Sequence, residues 1–184
     1  MIKMILAISG TAGSGKSTFA KELAKKLKYD HFSMGDLQRE LAKERGLTIR
    51  ELGELEKKDP KYDHMIDEKQ KKLGESRDRF VIDSWLAAKF IPNAIKIFLD
   101  GNIDVRVKRR LNQGREEEHF KGREEAKNDM LKRQKINRDR FLKFYNFDFM
   151  DMNKYDIVID TTDLGKGEVI DRIMKGIQKL QGKL

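Results

Sequence analysis

Residues Gly10–Thr18 read GTAGSGKST, and the apolar run MILAIS (Met4–Ser9) leads directly into them. Behind them comes KSTFAKELAKKL, in which Phe19, Leu23 and Leu27 recur at helical spacing. Gly10, Gly15, Lys16 and Ser17 therefore fill the pattern G-x-x-x-x-G-K-[ST] between a strand and an amphipathic helix, the context that gives the pattern meaning. At ordinary composition these fixed positions coincide by chance in about one chain in a hundred of such a length, before the context is counted. Glycines let the backbone turn at positive φ and crowd against an anion, while the start of the following helix adds partial positive charge. The expected phosphate-binding loop comprises Gly10, Thr11, Ala12, Gly13, Ser14, Gly15, Lys16, Ser17 and Thr18. Lys16 brings a full charge to the β and γ phosphates of ATP, and Ser17 brings a hydroxyl to Mg²⁺.

Outward from the loop, strand-like runs recur: YDHFS (Tyr29–Ser33), FVID (Phe80–Asp83), IKIFLD (Ile95–Asp100) and YDIVID (Tyr155–Asp160). Helical segments lie between and after them, such as Ile170, Ile173, Ile177 and Leu180 near the end. This alternation predicts an α/β fold in three layers, a five-stranded parallel sheet with helices on both faces. Two connections are longer than the roughly thirty residues of a whole strand-helix-strand unit. The first, Met34–Arg79, reads as two or three helices broken near Gly46 and at Asp59-Pro60. The second, Gly101–Lys154, contains a very polar stretch bracketed by Gly114 and Gly122, which reads as a hinged flap. The expected organisation is one domain over residues 1–184, with an acceptor-binding insertion at about 34–79 and a lid at about 111–133.

Composition bounds the partners. A chain of 184 residues with 38% hydrophobic content buries one core. Lys and Arg number 40 against 31 Asp and Glu, a net charge of +9, which favours an anionic partner. Stretches such as KELAKKLK and ELEKKDPK account for much of that charge as solvated helix faces. There is no cysteine, which removes disulfides, thiol nucleophiles and thiolate metal sites and fits a reducing compartment. His31, His64 and His119 lie far apart without the spacing of a zinc site. MIKMILAISG is too short for a signal sequence or a membrane span, so a cytoplasmic protein is expected.

Magnesium also needs a carboxylate. Asp83, Asp100 and Asp160 all end apolar runs, and in parallel sheets ligands gather beyond the carboxyl ends of the strands. Helix capping is the structural alternative for each. Asp83 is the preferred candidate because it ends the third strand, where phosphate-loop kinases commonly place this acid.

The segment SMGDLQRELAKERG (Ser33–Gly46) resembles the S-x-G-x-x-x-R stretch of nucleoside monophosphate kinases. Together with LTIRELGELEKKDPKYDHMIDEKQ, IKIFLDGNIDVRVKRR and YNFDFMDMNKYDIVIDTT it resembles, over nearly the whole chain, the archaeal-type cytidylate kinase family. The resemblance implies that Ser33, Gly35 and Arg39 bind the acceptor, with Arg39 one helical turn from Gly35 and able to clamp a phosphate with its fork of donors. It carries over Arg106 and Arg109 as arginines near the moving phosphoryl group, and the flap helix adds Arg133 and Arg140. Arg133, Asn137 and Arg140 are spaced i, i+4, i+7 and share one helix face. The chain departs from the family where VIDSWLAAKF puts Ser84 and Trp85 in place of a glycine-arginine pair, and where Asn137 replaces an acid. Trp85 either stacks on a base or packs in the core. The implied acceptor is cytidylate or uridylate first, then adenylate.

A nucleoside monophosphate attacks with an oxygen of a phosphate whose second pKa is about 6, so no general base is needed. Neutralisation of two anions is needed, together with exclusion of water. Two other readings fit the same loop. In a kinase of small-metabolite hydroxyls, Asp36 would serve as the base. In an RNA-binding nucleotide hydrolase, the arginine helix would hold the nucleic acid, although no aromatic stacking module supports that reading. The expected protein is a monomer that binds a nucleoside monophosphate and neither membrane nor nucleic acid.

Overall fold

A computed structural model describes residues 4–59, 61–112 and 120–182. Its centre is a parallel sheet of β1 (Ile5–Gly10), β2 (Asp30–Ser33), β3 (Phe80–Asp83), β4 (Ile95–Asp100) and β5 (Ile157–Asp160) in the order β2-β3-β1-β4-β5. β1 is buried along its whole length because it is flanked on both edges: Ile8 pairs with Asp83 of β3 and with Ile97 of β4. Hence the run before the phosphate loop is apolar without alternation.

Alternate residues of β1 feed opposite layers. Leu6 and Ile8 face α1 (Lys16–Leu27) and α8 (Lys166–Gln181), packing with Phe19, Leu23, Val169, Ile173 and Ile177. Ile5 and Ala7 face the other side, with α2 (Met34–Glu44), α3 (Ile49–Lys58), α4 (Lys61–Ser76) and α5 (Ala87–Phe90). The five expected strands are all present, each within two residues of its expected start and end. The first long connection holds three helices, with Gly46 at φ +65° after α2 and a break at Asp59; Pro60 lies outside the described residues.

The second long connection holds α6 (Ile103–Asn112) and α7 (Arg123–Tyr145). Much of the expected flap, including Gly114 and His119, lies outside the described residues, whereas Gly122 caps α7. The C-terminal end of α7 is anchored by Phe141, Phe147 and Phe149, packed with Phe98, Trp85 and Tyr145. Its N-terminal half packs Ala126 and Met130 on Val107 of α6, beside Ala12 of the phosphate loop. One long helix thus touches both the sheet's end and the loop. Among the described residues, no helix is long and apolar enough to cross a membrane.

Candidate active site

The loop between β1 and α1 takes its shape from three glycines with positive φ: Gly10 at +147°, Gly13 at +77° and Gly15 at +95°. At Gly10 a Cβ would stand 2.0 Å from the carbonyl oxygen of Leu99, so the loop can leave the sheet only through glycine. Gly15 caps α1, its carbonyl accepting from the amide of Phe19, and the first-turn amides of a helix have no intrahelical partner. The Lys16 ammonium folds over the loop, donating to the carbonyls of Gly10 at 2.9 Å and Thr11 at 2.8 Å. Thr11 Oγ1 donates to Asp100 Oδ1 at 2.7 Å, tying the loop to the end of β4.

Asp83, at the carboxyl end of β3, is buried and collects three partners. Ser17 Oγ donates to its Oδ2 at 2.8 Å and Ser33 Oγ donates to the same oxygen at 3.0 Å, while His31 Nε2 lies 2.7 Å from its Oδ1. Ser17 and Asp83 thus present adjacent oxygens at the mouth of the loop, a donor set that suits a hard divalent cation completed by water and phosphate. Asp100 and Asp160 are otherwise engaged, the first with Thr11 and the second with the amide and hydroxyl of Thr162.

One cavity joins the loop to the helices of the first long connection and to α7. Its lining includes Gly15, Lys16 and Ser17 at one end, Gly35 and Arg39 of α2, Asp83 and Trp85 beyond β3, and Arg133 and Arg140 of α7. Thr18, Ala12 and Gly13 border it as well, whereas Gly10, Thr11 and Ser14 of the same loop do not. Ser33 stands beneath, on Asp83. Arg39 pairs with Asp36 one turn away on the same helix. Burial would raise the Asp36 carboxyl, but the Arg39 bond, with Lys21 and Ser33, holds it below the usual carboxylate range.

Three more of the expected residues do not border the cavity. Arg106 is buried under the loop, with Nε donating to Gly101 O at 2.8 Å and Nη1 to Ala12 O at 3.0 Å. Burial lowers its pKa, partly offset by Asp100. Arg109 turns toward β5, donating to Oγ1 and O of Thr161 at 2.7 and 2.6 Å. Asn137 is buried on α7 and donates to Arg133 O at 2.8 Å. Conversely, Arg110, Asp129, Gln38, Asp63, Asp67 and Gln70 border the cavity although no motif marks them. The charged faces of α4 and α7 carry no periodicity that separates these from solvated residues.

Residues 5–163 match the cytidylate kinase-like family. The chain belongs to that family. A cytidylate kinase of Methanosarcina barkeri is 34% identical over 97% of this chain and 99% of its own length. One of Natronomonas pharaonis is 39% identical over 88% of this chain and 82% of its own. The fold extends further: a shikimate kinase from Acinetobacter baumannii, solved with shikimate, superposes with a TM-score of 0.58 over 100% of this chain and 96% of its own, at 16% identity.

Within this cytidylate kinase-like scaffold, Trp85 does two things at once. Its ring stacks on Phe149 with centroids 5.2 Å apart and meets Phe141 edge-on, which fixes it in the aromatic anchor of α7. Its Nε1 donates to Gly10 O at 2.8 Å, and the cations of Lys16 and Arg133 stand 5.5 and 5.6 Å from the ring. The indole is therefore core on one side and cavity wall on the other. Ser84 beside it donates to Gln70 Oε1 at 2.6 Å and links β3 to α4.

Proposed function

We propose that the protein is a nucleoside monophosphate kinase that transfers the γ-phosphoryl group of ATP to cytidylate, giving ADP and cytidine diphosphate. The observation that carries the reading is that one cavity is bordered at one end by Lys16 and Ser17 and along its sides by Arg39 and Arg133. Two mutually repelling anions need that distribution of fixed positive groups. Membership of the cytidylate kinase-like family, with relatives of that name over nearly the whole chain, supports the acceptor class.

In this reading the loop amides and Lys16 hold the donor's β and γ phosphates, Lys16 exchanging the carbonyls of Gly10 and Thr11 for phosphate oxygens. Arg39 clamps the acceptor phosphate, and Arg133 closes over the transferring group from α7. Ser17 and Asp83 would hold Mg²⁺, which when bound neutralises phosphate charge; Ser33 and His31 keep the Asp83 carboxylate turned toward Ser17. Arg106 supports the loop from below through Ala12, a role in positioning the phosphates. The acceptor oxygen is already ionised, so transfer needs no base. One chain supplies both ends of the cavity, which supports a monomer as the working unit.

A hydroxyl acceptor would need a base. Asp36, the candidate base, is made a poorer one by its pairing with Arg39, which holds its carboxyl below the usual range. The deciding experiment measures ADP formation from Mg-ATP with CMP, UMP, AMP and simple alcohols. Stimulation by CMP is expected, and phosphorylation of an alcohol with no response to any monophosphate would overturn the reading.

A further inference from the structure

The acceptor side of the cavity contains a buried polar pair that phosphoryl transfer does not use. α4 runs back toward the start of β3, so Gln70, bonded to Ser84, lies level with the carboxyl edge of the sheet. Asp63 is two helical turns farther out, about 10 Å along the axis. There it meets Arg140 of α7 and Glu56 of α3, all three side chains more than nine-tenths buried. Arg140 Nη1 bonds Glu56, and its Nη2 lies 3.5 Å from Asp63 Oδ1. Gln38 Nε2 donates to the other Glu56 oxygen at 2.6 Å. Glu56 is thus satisfied, yet among the described residues two atoms of this network have no hydrogen-bond partner: Asp63 Oδ2 and Arg140 Nε. Such atoms are costly unless something else satisfies them. Both residues border the cavity.

An acceptor beside a donor is the complement of one particular base edge. Cytosine presents its 4-amino donor next to the N3 acceptor, whereas uracil presents the O4 acceptor next to the N3–H donor. Adenine shares the cytosine order but is a larger ring system. We propose that Asp63 and Arg140 read the amino edge of the acceptor base, Asp63 Oδ2 accepting from the exocyclic amino group and Arg140 Nε donating to the adjacent ring nitrogen. The assignment rests on the kinase reading above and adds to it the groups that reject uracil. The environment of Asp63 suits that role. Burial pushes its carboxyl up to about 7 despite Arg140, with Glu56 and Asp67 adding to the rise, so a donor arriving with the substrate is gained by a poorly solvated group.

The test is kcat/KM for CMP and for UMP, at saturating ATP, in the wild-type protein and in Asp63→Asn. An amide can turn its NH₂ toward a 4-carbonyl, so the CMP-to-UMP ratio should fall at least about tenfold with KM for ATP unchanged. An unchanged ratio overturns the proposal, even if both values drop together. Because the substitution lies in a buried network, a second measurement uses the wild-type protein alone: a CMP analogue with hydrogen in place of the 4-amino group should bind at least about tenfold more weakly than CMP in competition. Equal binding overturns the proposal. If the wild-type protein phosphorylates no monophosphate at all, the kinase reading fails first, an outcome distinct from phosphorylation of CMP and UMP with no role for Asp63.

Discussion

At the scale of single residues, Lys16 shows how the phosphate loop is held in shape: its ammonium donates to the carbonyls of both Gly10 and Thr11 and ties the two together. Lys16→Ala removes both that tether and the charge that the proposed function assigns to the donor phosphates. The expected result is a fall in kcat of about a thousandfold or more, read as ADP formation with CMP, while circular dichroism remains that of the folded protein. Asp63 yields a prediction about stability. Its ordinary pKa is about 3.9 and its folded pKa about 7, so between those values the folded state binds more protons than the unfolded. The contribution of this group to stability is then fully present at low pH and is lost as pH rises toward 7. The melting temperature of Asp63→Asn, measured against the wild type at pH 5 and pH 8, should therefore shift in the variant's favour at the higher pH; a constant difference would show that Asp63 titrates normally. Lys16, Ser17 and Asp83 are legible in the sequence because loop chemistry and strand ends mark them. His31 and Asp63 are not, since what makes each of them matter is a partner brought by folding: Asp83, 52 residues on, for His31, and Arg140 from a distant helix for Asp63.

Elements are legible where a period exists and obscure where charge hides it. β1 and β3 are wholly buried and read as continuous apolar runs, which places their ends, and with them the loop and Asp83. α7 is the opposite case: REEAKNDMLKRQKINRDRFLKFY buries only Ala126, Met130, Asn137, Arg140 and Phe141, two of them polar, and its apolar face cannot be read from spacing. The expected lid, ending near residue 133, accordingly stops mid-helix, whereas α7 continues to Tyr145 and its aromatic anchor. α3 carries a separable feature. Thr48 accepts from the Glu51 amide and the Glu51 carboxylate accepts from the Thr48 amide, a reciprocal cap at the helix start. Thr48→Ala should cost about 1 kcal/mol in chemical denaturation and leave kcat/KM for CMP unchanged, because the cap borders no part of the cavity. A loss of activity without loss of stability would mean that α3 positions Glu56, and through it Arg140, more delicately than packing alone requires.

For the whole molecule, fold alone does not fix the acceptor: a shikimate kinase superposes at 16% identity, a likeness of fold only. The fold is therefore legible in the alternation of strands and helices, while the acceptor is set by the cavity. Net charge of +9 points toward anions without choosing one. Its distribution is more informative. On and around α7, Arg138 pairs with Asp148, Lys135 with Asp139, Arg123 and Lys127 with Asp104, and Arg140 with Glu56, so these cations do not form an open stripe for a nucleic-acid backbone. Arg39, Arg133 and Arg140 instead border the cavity that Lys16 also lines. A ligand joining adenosine to cytidine through a polyphosphate chain should engage both ends at once. At about a hundred times its dissociation constant it adds about 2.7 kcal/mol, and for a protein of such size this raises the melting temperature by about 5–10 °C. The same assay with a mixed-sequence RNA at physiological salt should give no shift, since cations already paired on and around α7 would release few counterions on binding. Stabilisation by RNA that fades steeply with salt, without any by the bisubstrate ligand, would mean that the positive charge serves a nucleic acid and that the cavity is incidental.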